Sequence, residues 1–219
     1  MESKILIIRH GITEGNKKKW FYGATDIGLS EEGIIELEEQ RNSGFYPDVP
    51  EDAKFFTTGM KRTEETLGIL FGDVEHGRIT DMKEMNFGDY ECRSFDSLKD
   101  DEAFLEWGYD QTGEIKLPNA ESRNEFRERT IRGGKRLIDE HIASNTPMTV
   151  MICHGGVISS FMDHLFSDGR SMWDWMPEPG CGYEVFFTDG KPAKYKAIGR
   201  IGDNLQTVID EYESENEGK

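Results

Sequence analysis

Residues 5–16 read I-L-I-I-R-H-G-I-T-E-G-N, an apolar run that ends directly on Arg9, His10 and Gly11. Arginine is awkward to bury, so one at the tip of an apolar strand is normally aimed at a partner. A second junction of the same build closes the run M-T-V-M-I-C at His154, Gly155 and Gly156. Imidazole is a useful nucleophile near neutral pH because much of it is unprotonated. A glycine after each histidine lets backbone amides approach an anion closely.

Two further charged residues stand just past candidate strands. Arg62 lies in T-T-G-M-K-R-T-E-E-T and Glu84 in M-K-E-M-N-F-G-D-Y-E. If the strand ends converge, Arg9, Arg62, His10 and His154 make an intensely cationic hole. Guanidinium forks match the oxygens of a tetrahedral phosphate, so a phosphoryl group is the best-fitting ligand. Phosphoryl transfer has a loose transition state with charge spread over the equatorial oxygens. Its catalysis is mostly positioning and charge stabilisation, and one well-placed arginine is worth roughly 10³ or more in rate.

The elements that must carry these residues can be read from periodicity. Continuous apolar runs at 4–8 and 148–153 suit strands covered on both faces, and 54–57 and 74–80 read as shorter strands. Ser30 caps a helix over 31–42, and further helices are expected over 60–71, 121–143 and 157–166. Gly133 and Gly134 should weaken the long helix by about 1 kcal/mol each relative to alanine. Strands at 183–187 and 193–198 flank a Thr-Asp-Gly turn. The alternation predicts a three-layer α/β/α sandwich with a mostly parallel central sheet, in which ligands bind beyond the carboxyl ends of the strands. Residues 1–203 read as one domain with an inserted cap at about 85–120, rich in aromatics and carrying a helix near 98–107. Residues 204–219 form an acidic tail, expected to be disordered.

Composition narrows the function classes. With 26 basic against 43 acidic residues and a net charge of −17, the chain is no non-specific nucleic-acid binder. An anionic small substrate remains compatible, because distant charges are screened over about 10 Å at ordinary ionic strength. No run approaches membrane-span length, no leader pattern is visible, and the three widely spaced cysteines show neither zinc nor disulfide spacing. A cytoplasmic protein without a membrane partner is the expectation.

R-H-G-I-T-E-G-N resembles the signature of the histidine phosphatase superfamily, the phosphoglycerate-mutase-like enzymes. The likeness continues in order through Y-G-A-T-D-I-G-L-S-E-E-G, K-R-T-E-E-T, K-E-M-N-F-G-D-Y-E, P-N-A-E-S and I-C-H-G-G-V-I. The resemblance implies that His10 attacks phosphorus and is transiently phosphorylated, while Arg9, Arg62, His154 and Gly155 surround the phosphoryl oxygens. It implies that Asn16 touches the phosphate or orients its neighbours. Glu84 would protonate the leaving alkoxide and then activate water. The residues alone do not choose Glu84 over Asp81, Asp89 or Glu91; that choice comes from the resemblance. No metal and no cofactor are implied.

T-E-G-N is similar to the hydrolytic branches, including α-ribazole phosphatases and broad-specificity acid phosphatases. Mutases of the family tend to carry Ser and Trp in that segment. The expected activity is therefore hydrolysis of a small phosphorylated substrate. Two alternatives are a phosphoglycerate mutase-type phosphotransferase and a catalytically inactive phospho-ligand binding module. A zinc hydrolase is disfavoured because arginines beside a divalent cation would repel it. The family often has Ala, Gln and Gly where Thr63, Glu65 and Cys92 stand. His76, His141 and His164 read as structural, the last two on helix surfaces. The Lys17-Lys18-Lys19 run reads as a solvated stretch or a substrate-steering rim.

Overall fold

A computed structural model describes residues 3–202; the tail expected at 204–219 lies outside the described residues. The strands are β1 Ser3–Arg9, β2 Trp20–Phe21, β3 Lys54–Thr57, β4 His76–Arg78, β5 Arg93–Ser94, β6 Met148–Cys153, β7 Gly182–Thr188 and β8 Lys191–Ile198. The helices are α1 Glu14–Lys17, α2 Glu31–Asn42, α3 Lys61–Phe71, α4 Phe95–Leu98, α5 Glu102–Tyr109, α6 Arg123–Ser144 and α7 Gly155–Phe166. The main sheet has the order β4-β3-β6-β1-β7-β8. β1, β3, β4 and β6 run parallel, while β7 is antiparallel to both β1 and β8.

Both faces of the sheet are covered, which is why β1 and β6 read as unbroken apolar runs. Ile5, Ile7, Met151 and Cys153 point to the α6–α7 side, packing with Leu137, Val157 and Phe161. Leu6, Ile8, Val150 and Ile152 point to the α2–α3 side, against Leu37, Leu67 and Leu70. Fully burying each such aliphatic side chain is worth about 1.5–3 kcal/mol. The result is the three-layer α/β/α arrangement with a mostly parallel centre.

Several boundaries follow local chemistry. The Ser30 hydroxyl accepts from the Gly33 amide at 3.1 Å and starts α2. The helix expected over 98–107 is instead two, because the Asp101 carboxylate accepts from the Phe104 amide at 3.0 Å and begins α5 anew. The strand expected over 74–80 is only His76–Arg78. α6 runs unbroken through its two glycines. A Cβ on Gly134 would stand 2.3 Å from the Phe161 ring, so the missing side chain is what lets α6 approach α7. His141 is not on the surface: it is 2% exposed, with its ring nitrogens 2.8 Å from the Thr149 hydroxyl and 2.9 Å from that of Ser3. His76 pairs with Glu64 at 2.7 Å, and His164 is exposed. Trp175 is fully buried against Tyr183 and Tyr195. Among the described residues no helix is long and apolar enough to cross a membrane.

Candidate active site

The register of the two central strands sets the site. Arg9 stands opposite Cys153, so His10 and His154 each follow the carboxyl end of adjacent parallel strands. The His10 amide donates to the Cys153 carbonyl at 3.0 Å, and the two imidazole rings lie 5.3 Å apart at 64°. Arg62 comes from the first turn of α3, the helix that follows β3, and is fully buried. Thr66 ties that helix to the first histidine loop. Its hydroxyl accepts from the Gly11 amide at 3.1 Å and donates to the Arg62 carbonyl at 2.7 Å.

The Arg62 guanidinium is held on three sides. Nη1 donates to the Thr25 carbonyl at 3.0 Å, Nη2 to the Gly23 carbonyl at 2.9 Å and Nε to Nδ1 of His154 at 3.3 Å. The plane lies over the Tyr22 ring, 5.1 Å from its centre. Arg9 donates from Nη1 to the Pro177 carbonyl at 2.8 Å, while its buried Nε has no protein partner. A buried donor without an acceptor costs free energy and suits an incoming anion. Gly155 opens α7 beside this guanidinium; a Cβ there would stand 3.1 Å from its central carbon.

Hydrogen-bond direction fixes the protons on His10. Nδ1 lies 2.8 Å from the Gly11 carbonyl, which can only accept, so Nδ1 carries the hydrogen and Nε2 the lone pair. Burial, reinforced by the charges of Arg62 and Arg9, pushes the His10 pKa well below the usual histidine range. Burial, then Arg62, His10 and Arg9, does the same to His154. Both imidazoles are therefore neutral beside two guanidiniums. Burial lowers those guanidiniums too, yet arginine keeps its charge.

Glu84 joins this group from the loop after β4. Its Oε1 accepts from the Met85 amide and its Oε2 from the Gly156 amide, each at 3.0 Å. The competing acids are committed elsewhere. Asp81 pairs with Arg132 at 2.8 Å, and Asp89 accepts from the Asn119 side chain at 3.0 Å. Asn16 closes a capping box with Thr13. Its amide oxygen accepts from the Thr13 hydroxyl at 2.9 Å and the Tyr22 hydroxyl at 3.0 Å. In this geometry Asn16 orients Tyr22, the ring that carries Arg62.

Glu91 has a role that sequence reasoning missed. Its carboxylate accepts from the amides of Gly23, Ala24, Thr25 and Phe87 and from the Thr25 hydroxyl, at 2.6–3.1 Å. Burial pushes this carboxyl up, but the bonds from Thr25, Phe87 and Gly23 outweigh it and hold it below the usual range. Glu91 thus organises the loop whose carbonyls hold Arg62. Lys17 pairs with Glu14 and Glu32 at the surface, and Lys18 lies over Trp20. Among the described residues no three His, Cys, Asp or Glu side chains converge as metal ligands would.

The Histidine phosphatase superfamily (branch 1) pattern matches residues 5–198. The chain belongs to this superfamily. Curated relatives include a phosphoglycerate mutase of Schizosaccharomyces pombe, 26% identical over 72% of this chain and 77% of that protein. The adenosylcobalamin/alpha-ribazole phosphatase of Salmonella typhimurium is 25% identical over 85% of this chain and 92% of its own. The crystal structure of the alpha-ribazole phosphatase from Shigella flexneri superposes with a TM-score of 0.72 at 23% identity. It covers 92% of this chain and 96% of that one, and shows a shared fold. This histidine phosphatase superfamily member thus has both phosphatases and mutases among its relatives.

Proposed function

We propose that the chain is a metal-independent phosphomonoester hydrolase working through a phosphohistidine. One arrangement carries the reading: a neutral His10, its Nε2 lone pair available, under the charges of the fully buried Arg62 and the half-buried Arg9, whose Nε is a buried donor without a protein partner. In the first step Nε2 attacks phosphorus, the N–P bond forms, and the P–O ester bond breaks. The Glu84 carboxyl passes its proton to the leaving alkoxide. Arg9, Arg62, His154 and the Gly155 amide surround the phosphoryl oxygens, where charge is spread in the loose transition state. In the second step the Glu84 carboxylate takes a proton from water, whose oxygen attacks phosphorus. The N–P bond breaks, inorganic phosphate leaves, and His10 is neutral again.

The curated mutase relatives support a second reading, in which the phosphoryl group returns to another hydroxyl rather than to water. A screen of phosphate esters read by phosphate release separates the two. Hydrolysis yields stoichiometric phosphate that is lost in His10→Ala and persists in chelator. Isomerised product without phosphate would establish the mutase instead, and turnover in His10→Ala would overturn both.

A further inference from the structure

Glu84 stands on a short irregular segment between the 3-10 turn Thr80–Met82 and the turn Gly88–Tyr90. A carboxyl that delivers a proton must be held within about 0.5 Å of its target geometry by its supporting shell. The segment's own backbone does not supply that support, since the carbonyls of Asp81, Lys83 and Glu84 all accept from a single side chain on α6. Arg129 Nη1 donates to the Asp81 and Lys83 carbonyls at 2.8 Å each, and Nη2 donates to the Glu84 carbonyl at 3.3 Å. The remaining two hydrogens go to Glu121, from Nε at 3.1 Å and from Nη2. All five guanidinium donors are therefore used, three on the backbone that carries Glu84 and two on a counter-ion.

Glu121 in turn grips the far side of the segment. Its Oε1 accepts from the Asn86 amide at 2.9 Å, and its own amide donates to the Asn86 carbonyl at 3.2 Å. The segment is also pressed from above: a Cβ on Gly23 would fall 1.7 Å from the Met85 carbonyl oxygen. The Arg129 and Glu121 side chains are 20% and 17% exposed, so the clamp is half-buried, with its bond to the Lys83 carbonyl at the exposed rim.

We infer that Arg129, completed by Glu121, is the positioning residue that aims the Glu84 carboxyl at the leaving group. The inference rests on the reading of Glu84 as proton donor and deepens it. Arg129 touches no reacting atom; it fixes the peptide planes from which Glu84 projects. The planar fork is required, because a lysine ammonium is a point donor with three hydrogens and cannot span three carbonyls and a carboxylate.

The test compares kcat/KM for phenyl phosphate, whose leaving group needs a proton, with 4-nitrophenyl phosphate, whose leaving group does not. Arg129→Lys is expected to lose about 30-fold or more on the first and about 3-fold or less on the second. Glu121→Gln, which keeps the guanidinium packed, should show the same selectivity at smaller size. Glu84→Gln serves as the reference. If it discriminates between the esters while both clamp variants lose equally on the two, Arg129 is only a structural residue and the inference fails. If Arg129→Lys behaves as wild type, charge rather than the fork is what matters, and the inference fails again. If Glu84→Gln itself does not discriminate, the reading of Glu84 as acid falls first.

Discussion

Arg62 and His154 share one hydrogen bond, from Nε–H to Nδ1 at 3.3 Å, and its direction decides which proton the second histidine carries. A guanidinium only donates, so Nδ1 accepts and the neutral ring holds its hydrogen on Nε2. The other edge of the ring leads to the same answer. The Thr63 hydroxyl donates to the Met60 carbonyl at 2.7 Å, so it must accept from Thr58 at 3.2 Å. Thr58, its one hydrogen used, must accept from His154 Nε2 at 3.0 Å. His10 and His154, neighbours at 5.3 Å, are thereby held as opposite tautomers.

That opposition is directly measurable. Nitrogen-15 spectra of the histidine side chains should show Nδ1 protonated in His10 and Nε2 protonated in His154. Thr58→Val leaves the buried Nε2–H without an acceptor and should cost about 1–3 kcal/mol of stability. Two histidines of the same tautomer, or a protonated ring at neutral pH, would contradict the directed chain.

Glu91 acts on Arg62 through the 23–25 loop, so its loss should be felt at the proposed phosphate site. In Glu91→Gln the amide nitrogen would face backbone N–H groups that a carboxylate oxygen now accepts from. Bonds to a charged acceptor are worth about 1.5–3 kcal/mol each, so stability should drop by at least about 2 kcal/mol. Phosphate ester turnover should fall about 10-fold or more as Arg62 loses its anchored carbonyls. Unchanged affinity for inorganic phosphate in a folded Glu91→Gln protein would separate the loop from the site.

A glycine on the other wall gives a sharper probe. A Cβ on Gly156 would stand 2.6 Å from Glu84 Oε1, and α7 begins one residue earlier. Gly156→Ala should therefore displace the carboxyl while gaining helix propensity of up to about 1 kcal/mol. Turnover of phenyl phosphate should fall about 10-fold or more with the melting temperature little changed. Full activity in that variant would show that the carboxyl works from another position.

These relationships mark what a single sequence carries. β1 and β6 were legible because strands buried on both faces read as solid apolar runs, and α2 because Ser30 announces its start. The two His-Gly junctions were legible because each closes such a run. Residues whose role depends on distant backbone were not. Glu91 is 68 positions from the Gly23 amide it accepts from, and Arg129 is 45 from the Glu84 carbonyl, so no local pattern marks either. His141 did carry a signal. It lies one turn after Leu137, which faces the core, and that spacing places it on the inward face.

The buried histidines make stability depend on pH with a definite sign. Burial and then the neighbouring guanidinium charges lower His10 and His154, and burial lowers His141, all from a value of 6.5. Below about pH 6.5 the unfolded chain takes up protons that the folded chain refuses. The contribution is thus fully present above that pH and is withdrawn as pH falls toward the folded-state values. Each histidine removes up to about 1.4 kcal/mol per pH unit while the pH lies between its unfolded and folded values. Urea midpoints taken from pH 7.5 to 5.5 should fall, and His141→Gln should flatten that slope relative to wild type while leaving the larger part carried by His10 and His154. Stability that holds level or rises as pH falls over that range would mean the folded rings take up protons at least as readily as the unfolded chain, and a charged His10 would lack the Nε2 lone pair on which the proposed phosphoryl transfer rests.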